Sequence, residues 1–338
     1  MNPVPKIPVA GRLAALDGEQ VVERIWRGDH TVWKDDPTEI ADRLGWLTVT
    51  DPMRERAGEL EAFAHRAFDD GFATAVLLGM GGSSLAPEVF GRTFGTAPGA
   101  LELLVLDTTH PAAVERVTGE LPPATLFVVA SKSGTTTETL SHLAHFWERS
   151  PDGARFVAIT DPGTPLETLA RERGFRSVFV NPENIGGRYS ALSLFGLVPA
   201  ALIGAPIRGL LDRAEEMRRA FGPSIPAGEN ESVVLGALIG EAARTGLDKL
   251  TLLLPQEIAG FGDWVEQLVA ESTGKEGVGV VPVVEEPPGD PEVYGEDRLF
   301  VAVGAAGGAD ALERAGLPVA RLPWRDREQL GGEMFRWE

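Results

Sequence analysis

The sequence has no cysteine. That excludes disulfides, thiolate metal sites and a thiol nucleophile. Lysine is scarce as well. Only Lys6, Lys34, Lys132, Lys249 and Lys275 stand among 31 basic residues, against 50 acidic ones. The formal charge of −19 gives a surface that repels nucleic acid and anionic membranes, so neither is expected as a partner. An anionic small molecule has to be held by local cations or amides against that field. No uncharged apolar run reaches the roughly 18–20 residues that a membrane span needs. Met1-Asn2-Pro3-Val4-Pro5-Lys6 shows no cationic stretch leading into an apolar one, so no secretory signal is expected. A cytoplasmic location is the default expectation. The histidines His30, His65, His110, His142 and His145 show no metal spacing.

What is present is an ordinary globular composition, 43% hydrophobic and 24% charged over 338 residues, enough for two α/β units. Residues 18–46 alternate short helical patterns with charged turns and read as an arm. A helical pattern follows over Arg56–Phe68. Short apolar runs then predict strands at Ala75–Leu78, Leu101–Leu106, Thr125–Ala130, Arg155–Ile159 and Ser177–Val180. Between them, Pro111–Val117 and residues 135–148 read as helices, the latter with Thr136, Leu140, Leu143, Ala144 and Trp147 on one face. Strands alternating with helices predict a parallel sheet covered on both faces. A second round starts near residue 230. It has helices at Ser232–Ala243, Gly262–Glu271 and 309–315, and strands at Leu250–Leu254, Val278–Val284 and Leu299–Val303. The Pro- and Gly-rich stretch Phe221–Glu229 marks the boundary. The expected domains are therefore an N-terminal helical arm (1–54) and two α/β domains (55–222 and 223–338). Asp326–Glu338 reads as a helix within which the chain stops.

Four stretches have the makings of a site. Gly79-Met80-Gly81-Gly82-Ser83-Ser84 follows a strand, where glycines let backbone approach a ligand. It matches no nucleotide-binding fingerprint, and a plain strand-to-helix turn explains it equally well. Ser131-Lys132-Ser133-Gly134-Thr135-Thr136 also follows a strand and opens a helix. Its hydroxyls at Ser131, Ser133 and Thr136, with the free amides of the first helical turn, suit a phosphate. Helix capping accounts for one such hydroxyl and not for three. Gly186-Gly187-Arg188-Tyr189-Ser190 presents an arginine on a glycine turn, able to hold an anion or to lie on the surface. Gln267 to Lys275 puts Glu271 near a helix C-terminus, where a carboxylate is electrostatically disfavoured. Buried beside a sugar, Glu271 is a proton-transfer base; exposed, it is an ordinary glutamate.

Taken together, these stretches resemble the phosphoglucose isomerase family in their order and separations. Arg24-Ile25-Trp26-Arg27-Gly28-Asp29-His30 and Asp36-Pro37-Thr38-Glu39-Ile40 resemble, more narrowly, the isomerase half of fused transaldolase–phosphoglucose isomerases. The resemblance implies two sugar-isomerase (SIS) domains, each a parallel sheet flanked by helices. It implies interconversion of glucose 6-phosphate and fructose 6-phosphate through a cis-enediol, with no metal or organic cofactor. Gly82 and Ser83 then contact the sugar. Ser131, Ser133 and Thr136, with the amides around Lys132, bind the phosphate. Arg188 stabilises the enediolate, Gln267 lines the pocket and Glu271 moves the proton. The family also implies a homodimer with shared sites, and a transaldolase partner in a longer chain. Two departures stand out. The family's ring-opening histidine follows the glutamate in sequence, and here none follows His145. The family closes its site with a C-terminal helix of pattern Q-x-x-V-E-x-x-K, and the second domain is expected to lack its C-terminal helices. The alternative is therefore a non-catalytic SIS module that binds sugar phosphate. Acceptance of mannose 6-phosphate stays open, because it depends on pocket shape.

Overall fold

The computed structural model describes residue 4 and residues 7–338; most of the start expected to lack a secretory signal lies outside the described residues. The chain divides into two compact units, Asp42–Asp212 and Met1–Ala41 with Arg213–Glu338. The first residues form α1 (Val9–Gly18) and α2 (Val21–Trp26). They were expected to stand apart with residues 42–54 as an arm, but long-range bonds group them with the C-terminal unit. Arg12 Nε pairs with Glu241 at 2.7 Å, the Trp26 indole donates to the Phe221 carbonyl, and Ala227 N donates to Asp17.

The unit of residues 42–212 opens with α3 (Thr50–Asp69), which begins before the predicted Arg56. Pro52 lies in its first turn, where a missing N–H breaks no helical bond. There follow β1 (Thr74–Leu78), α4 (Leu85–Phe94), β2 (Glu102–Leu106), α5 (Pro111–Glu120), β3 (Thr125–Ala130), α6 (Thr137–Arg149), β4 (Phe156–Thr160), α7 (Pro165–Glu172), β5 (Ser177–Val180) and α8 (Leu194–Leu202). The strands are all parallel, in the order β2-β1-β3-β4-β5. Every residue of β1, β3 and β4 is buried, as expected of strands covered on both faces. Phe156 anchors one side of the core, its ring 4.9 Å from Phe127, 5.2 Å from Trp147 and 5.3 Å from Phe175. The buried face of α6 is Thr139, His142, Leu143 and Phe146. The expected face is turned, with Ala144 exposed, because the Phe146 ring enters the core and His142 bonds the Thr108 carbonyl. No α8 was expected. All nine of its residues are buried, so it carries no polar stripe to give a helical period away.

In the other unit α9 (Ile207–Ala220), which runs across the division, is followed by α10 (Glu231–Arg244), β6 (Lys249–Leu253), α11 (Phe261–Thr273), β7 (Val281–Val283), β8 (Arg298–Val303), α12 (Ala309–Arg314), β9 (Val319–Leu322) and α13 (Gln329–Trp337). The sheet is parallel, in the order β7-β6-β8-β9. The strand predicted over 278–284 shortens to β7, because Lys275 and Val278 pair in a tight antiparallel bridge just before it. Both sheets share one arrangement. Their first strand (β1, β6) is followed by an edge strand on one side, and the next strand in sequence lies on the other. The expected pair of helix-flanked parallel sheets is what the chain forms. Among the described residues, no helix is long and apolar enough to cross a membrane.

Candidate active site

A parallel sheet of order β2-β1-β3-β4-β5 has a switch point between β1 and β3, where connections leave in opposite directions. The loops beyond the carboxyl ends of those strands part there and leave a crevice. The two loops in question are Gly79–Ser84 and Ser131–Thr136. A cleft of about 790 Å³ lies there. Gly82, Ser83, Lys132, Ser133 and Thr136 line it, together with Arg43, Asp161 and Glu183, which no motif had marked.

The glycine loop is pressed against the Gly186–Ser190 turn. A Cβ at Gly82 would lie 2.2 Å from the Gly187 carbonyl oxygen, so only glycine fits. Ser190 Oγ donates to that same oxygen at 2.6 Å and lies 3.3 Å from the Gly82 carbonyl. Ser84 turns inward and donates to Gly81 O at 3.1 Å, which leaves Ser83 as the serine on the cleft. The turn is backed by a second layer. Arg188, half-buried, lies 5.7 Å from the Tyr189 ring, and Tyr189 stacks on Trp46 at 6.0 Å. Gly45 N bonds the Asn184 carbonyl at 2.8 Å, so residues 42–48 run along the turn and bring Arg43 to the cleft.

The hydroxyls of the Ser131–Thr136 loop do not all point one way. Ser131 is 2% exposed. Its Oγ accepts from Gly134 N at 3.1 Å and sits 2.9 Å from Thr136 Oγ1, so it holds the loop's shape from beneath. Ser133 and Thr136 reach the cleft. Thr136 occupies the N-cap position of α6 without making a side-chain cap bond. The alternative of simple capping thus does not describe it, and the amides of Thr137, Glu138 and Thr139 have no carbonyl one turn back within the helix. Gly134 has φ +66°, and Thr164 would meet any Cβ there at 2.7 Å. Lys132 is engaged by Asp161 and by the Glu183 carbonyl. Burial pushes the Asp161 carboxyl above its ordinary range, against the pull of Lys132.

Gln267 and Glu271 lie in the other unit, one turn apart on α11. Gln267 is half-buried and Glu271 exposed. Lys275 Nζ bonds the Glu271 carbonyl at 3.0 Å. The paired histidines of α6 go separate ways: His142 to the Thr108 carbonyl at 3.0 Å, His145 to Thr118 Oγ1 at 2.9 Å.

The C-terminal helix expected to be lacking has a counterpart at its motif's spacing. α13 carries Gln329, Glu333 and Arg336, which matches Q-x-x-V-E-x-x-K with Gly332 for valine and Arg336 for lysine. The helix is buried. Arg336 pairs with Glu333 at 3.1 Å and Glu231 at 2.8 Å and lies over the Phe221 ring. Burial pushes the Glu333 carboxyl up. The Gln-to-Glu spacing is written in the sequence, while Gly332 and Arg336 depart from the pattern's valine and lysine.

The phosphoglucose isomerase model matches residues 33–297. The chain belongs to the phosphoglucose isomerase family. It is 37% identical over 216 residues to the glucose-6-phosphate isomerase of Synechococcus sp. (strain JA-3-3Ab), covering 60% of this chain and 40% of that one. It is 33% identical over 270 residues to a protein of Natronomonas pharaonis named "Probable glucose-6-phosphate isomerase", covering 76% of this chain and 60% of that one. The chain thus spans between two fifths and three fifths of the length of these relatives. In fold, a hypothetical protein of Thermus thermophilus aligns with a TM-score of 0.80 at 24% identity, over 100% of this chain and 92% of that one. The matched segment includes both the cleft loops of this family member and the α11 glutamate.

Proposed function

We propose that this chain binds a hexose 6-phosphate in the β1/β3 cleft and interconverts glucose 6-phosphate and fructose 6-phosphate. The observation that carries this reading is the meeting of the Gly82–Ser83 loop, the Ser133–Thr136 helix start and Gly187 at one crevice, with Arg188 next to Gly187 on the same turn. Phosphate needs many donors and little bulk, and a helix N-terminus opened by Gly134 supplies both. The C2 proton beside a carbonyl is weakly acidic. A base must therefore be close, and the developing enediolate must be compensated. Glu271 is the base in this reading, Gln267 positions the sugar and Arg188 faces the oxyanion. Gly82 and Ser83 bind sugar hydroxyls, and Ser131 keeps Thr136 and the loop amides in register. The working unit is a cytoplasmic homodimer, and size-exclusion chromatography with light scattering tests its assembly.

A coupled assay tests the chemistry, with fructose 6-phosphate supplied and glucose 6-phosphate removed by a dehydrogenase. Glu271→Gln is expected to lose about 100-fold or more in turnover. Equal turnover in the variant and its parent sinks the assignment. Two observations favour a second reading, a binding module without turnover: no histidine follows His145, and Glu271 is exposed. Tight fructose 6-phosphate binding with no turnover in the parent selects that reading. Turnover of mannose 6-phosphate in the same assay decides the substrate range.

A further inference from the structure

The cleft holds charges that a site for anions does not need. Its lining includes two cations, Arg43 and Lys132, and three carboxylates, Asp42, Asp161 and Glu183. Asp42 and Glu183 are exposed, so solvent screens them. Asp161 is only 9% exposed. One of its oxygens pairs with Lys132 Nζ, and the same ammonium donates to the Glu183 carbonyl at 2.9 Å. The other oxygen is buried and makes no close hydrogen bond among the described residues, with the Asn181 side chain standing nearby. The main chain fixes the pair, since Asp161 N donates to Lys132 O at 3.3 Å. Asp161 therefore relies chiefly on Lys132, with the Asn181 side chain and then Arg43 as weaker neighbours. A buried carboxylate deprived of its cation is costly.

We propose that Asp161 is a positioning residue that sets how tightly the cleft holds a phosphate, by competing with it for the Lys132 ammonium. The proposal rests on reading this cleft as a sugar-phosphate site. An ammonium has three N–H donors, and two of those on Lys132 are engaged within the protein. A phosphate at the start of α6 draws fully on Lys132 only by loosening the bond to Asp161. The energy regained from the lysine is offset by the carboxylate left behind. The phosphate is then held chiefly by amides and hydroxyls, and it leaves readily. Asp161→Asn keeps the shape and an acceptor for Lys132, but removes the competing charge.

The test is calorimetry at low ionic strength with inorganic phosphate and with fructose 6-phosphate. It compares the parent, Asp161→Asn, Lys132→Gln and the double variant. Asp161→Asn is expected to tighten both ligands by about 5- to 20-fold, and by less than about 2-fold when Lys132 is already Gln. Weaker or unchanged binding in Asp161→Asn overturns the proposal, and weakening is what a merely structural role predicts. An equal gain in both backgrounds also overturns it, because that is plain repulsion without a shared lysine. If Asp161→Asn does not fold, a crystal structure of the parent with fructose 6-phosphate decides. Lys132 Nζ on a phosphate oxygen supports the proposal; Lys132 still on Asp161 and Glu183 alone overturns it. Should the parent and every variant bind neither ligand, the sugar-phosphate reading of the cleft fails and takes this proposal with it. A parent that binds, with no gain in Asp161→Asn, sinks the proposal alone.

Discussion

Gly82 and Gly187 touch, yet adding a methyl group to each should have different consequences for stability. A Cβ at Gly82 would stand 2.2 Å from the Gly187 carbonyl oxygen and 2.6 Å from its carbon. Neither atom is the end of a flexible side chain. One backbone must retreat by roughly 1 Å to restore a normal contact. The retreat strains the Ser190 bonds to Gly82 and Gly187 and carries Arg188 with it. Overpacking of this kind costs about 1–3 kcal/mol. For a unit of this size that lowers the melting temperature by roughly 2–12 °C. A displacement of about 1 Å in a positioning loop costs on the order of 100-fold in turnover. At Gly187 the added Cβ meets nothing within 4 Å, and no left-handed φ is required there. Gly187→Ala should therefore melt within about 1 °C of the parent. Its methyl still enters the cleft and weakens sugar-phosphate binding. Thermal denaturation and calorimetry with fructose 6-phosphate check both variants. A Gly82→Ala protein with the parent's melting temperature and affinity would refute the packing argument, as would a Gly187→Ala protein destabilised to the same degree.

Ser131→Ala removes the buried acceptor of Gly134 N and the partner of Thr136 Oγ1. It should destabilise the protein by about 1–2 kcal/mol and weaken phosphate binding, read by denaturant titration and calorimetry. Phe156→Ala, at the middle of the Phe127–Trp147–Phe175 cluster, should cost about 3–5 kcal/mol in the same titration. The bonds from Thr31 and Arg24 hold the Asp29 carboxyl down, from its ordinary 3.8 to about 2. A lowered folded pKa means stability present above the unfolded value and lost as pH falls through the folded one. The melting-temperature advantage of the parent over Asp29→Asn should thus be full above pH 5 and shrink steadily below pH 4, and a constant gap would refute the assignment.

Much of the first unit's site could be read along the chain. Gly79–Ser84, Ser131–Thr136 and Gly186–Ser190 are local devices. Each combines glycines and hydroxyls within six residues, the first two directly after a strand, and such chemistry shows in the sequence itself. The alternation of apolar runs with helical patterns likewise announced two parallel sheets, because strands buried on both faces are written as continuous apolar runs. What was not legible is non-local. Arg43 and Asp161 reach the cleft only because residues 42–48 lie along the Gly186 turn and because β4 neighbours β3. No spacing in the sequence encodes that adjacency. α8 hid because full burial erases helical periodicity; α13 was legible as a helix, but not its likeness to the family's C-terminal pattern, because Gly332 and Arg336 stand where that pattern has valine and lysine. By itself, then, the sequence determined the family, the sheet type and the hydroxyl-rich loop proposed to hold phosphate, all of which are properties of short stretches. Only the tertiary structure decided which hydroxyls face the cleft, that Ser131 works from beneath, and that Lys132 is already paired. Those outcomes depend on which residues distant in the chain are packed into contact.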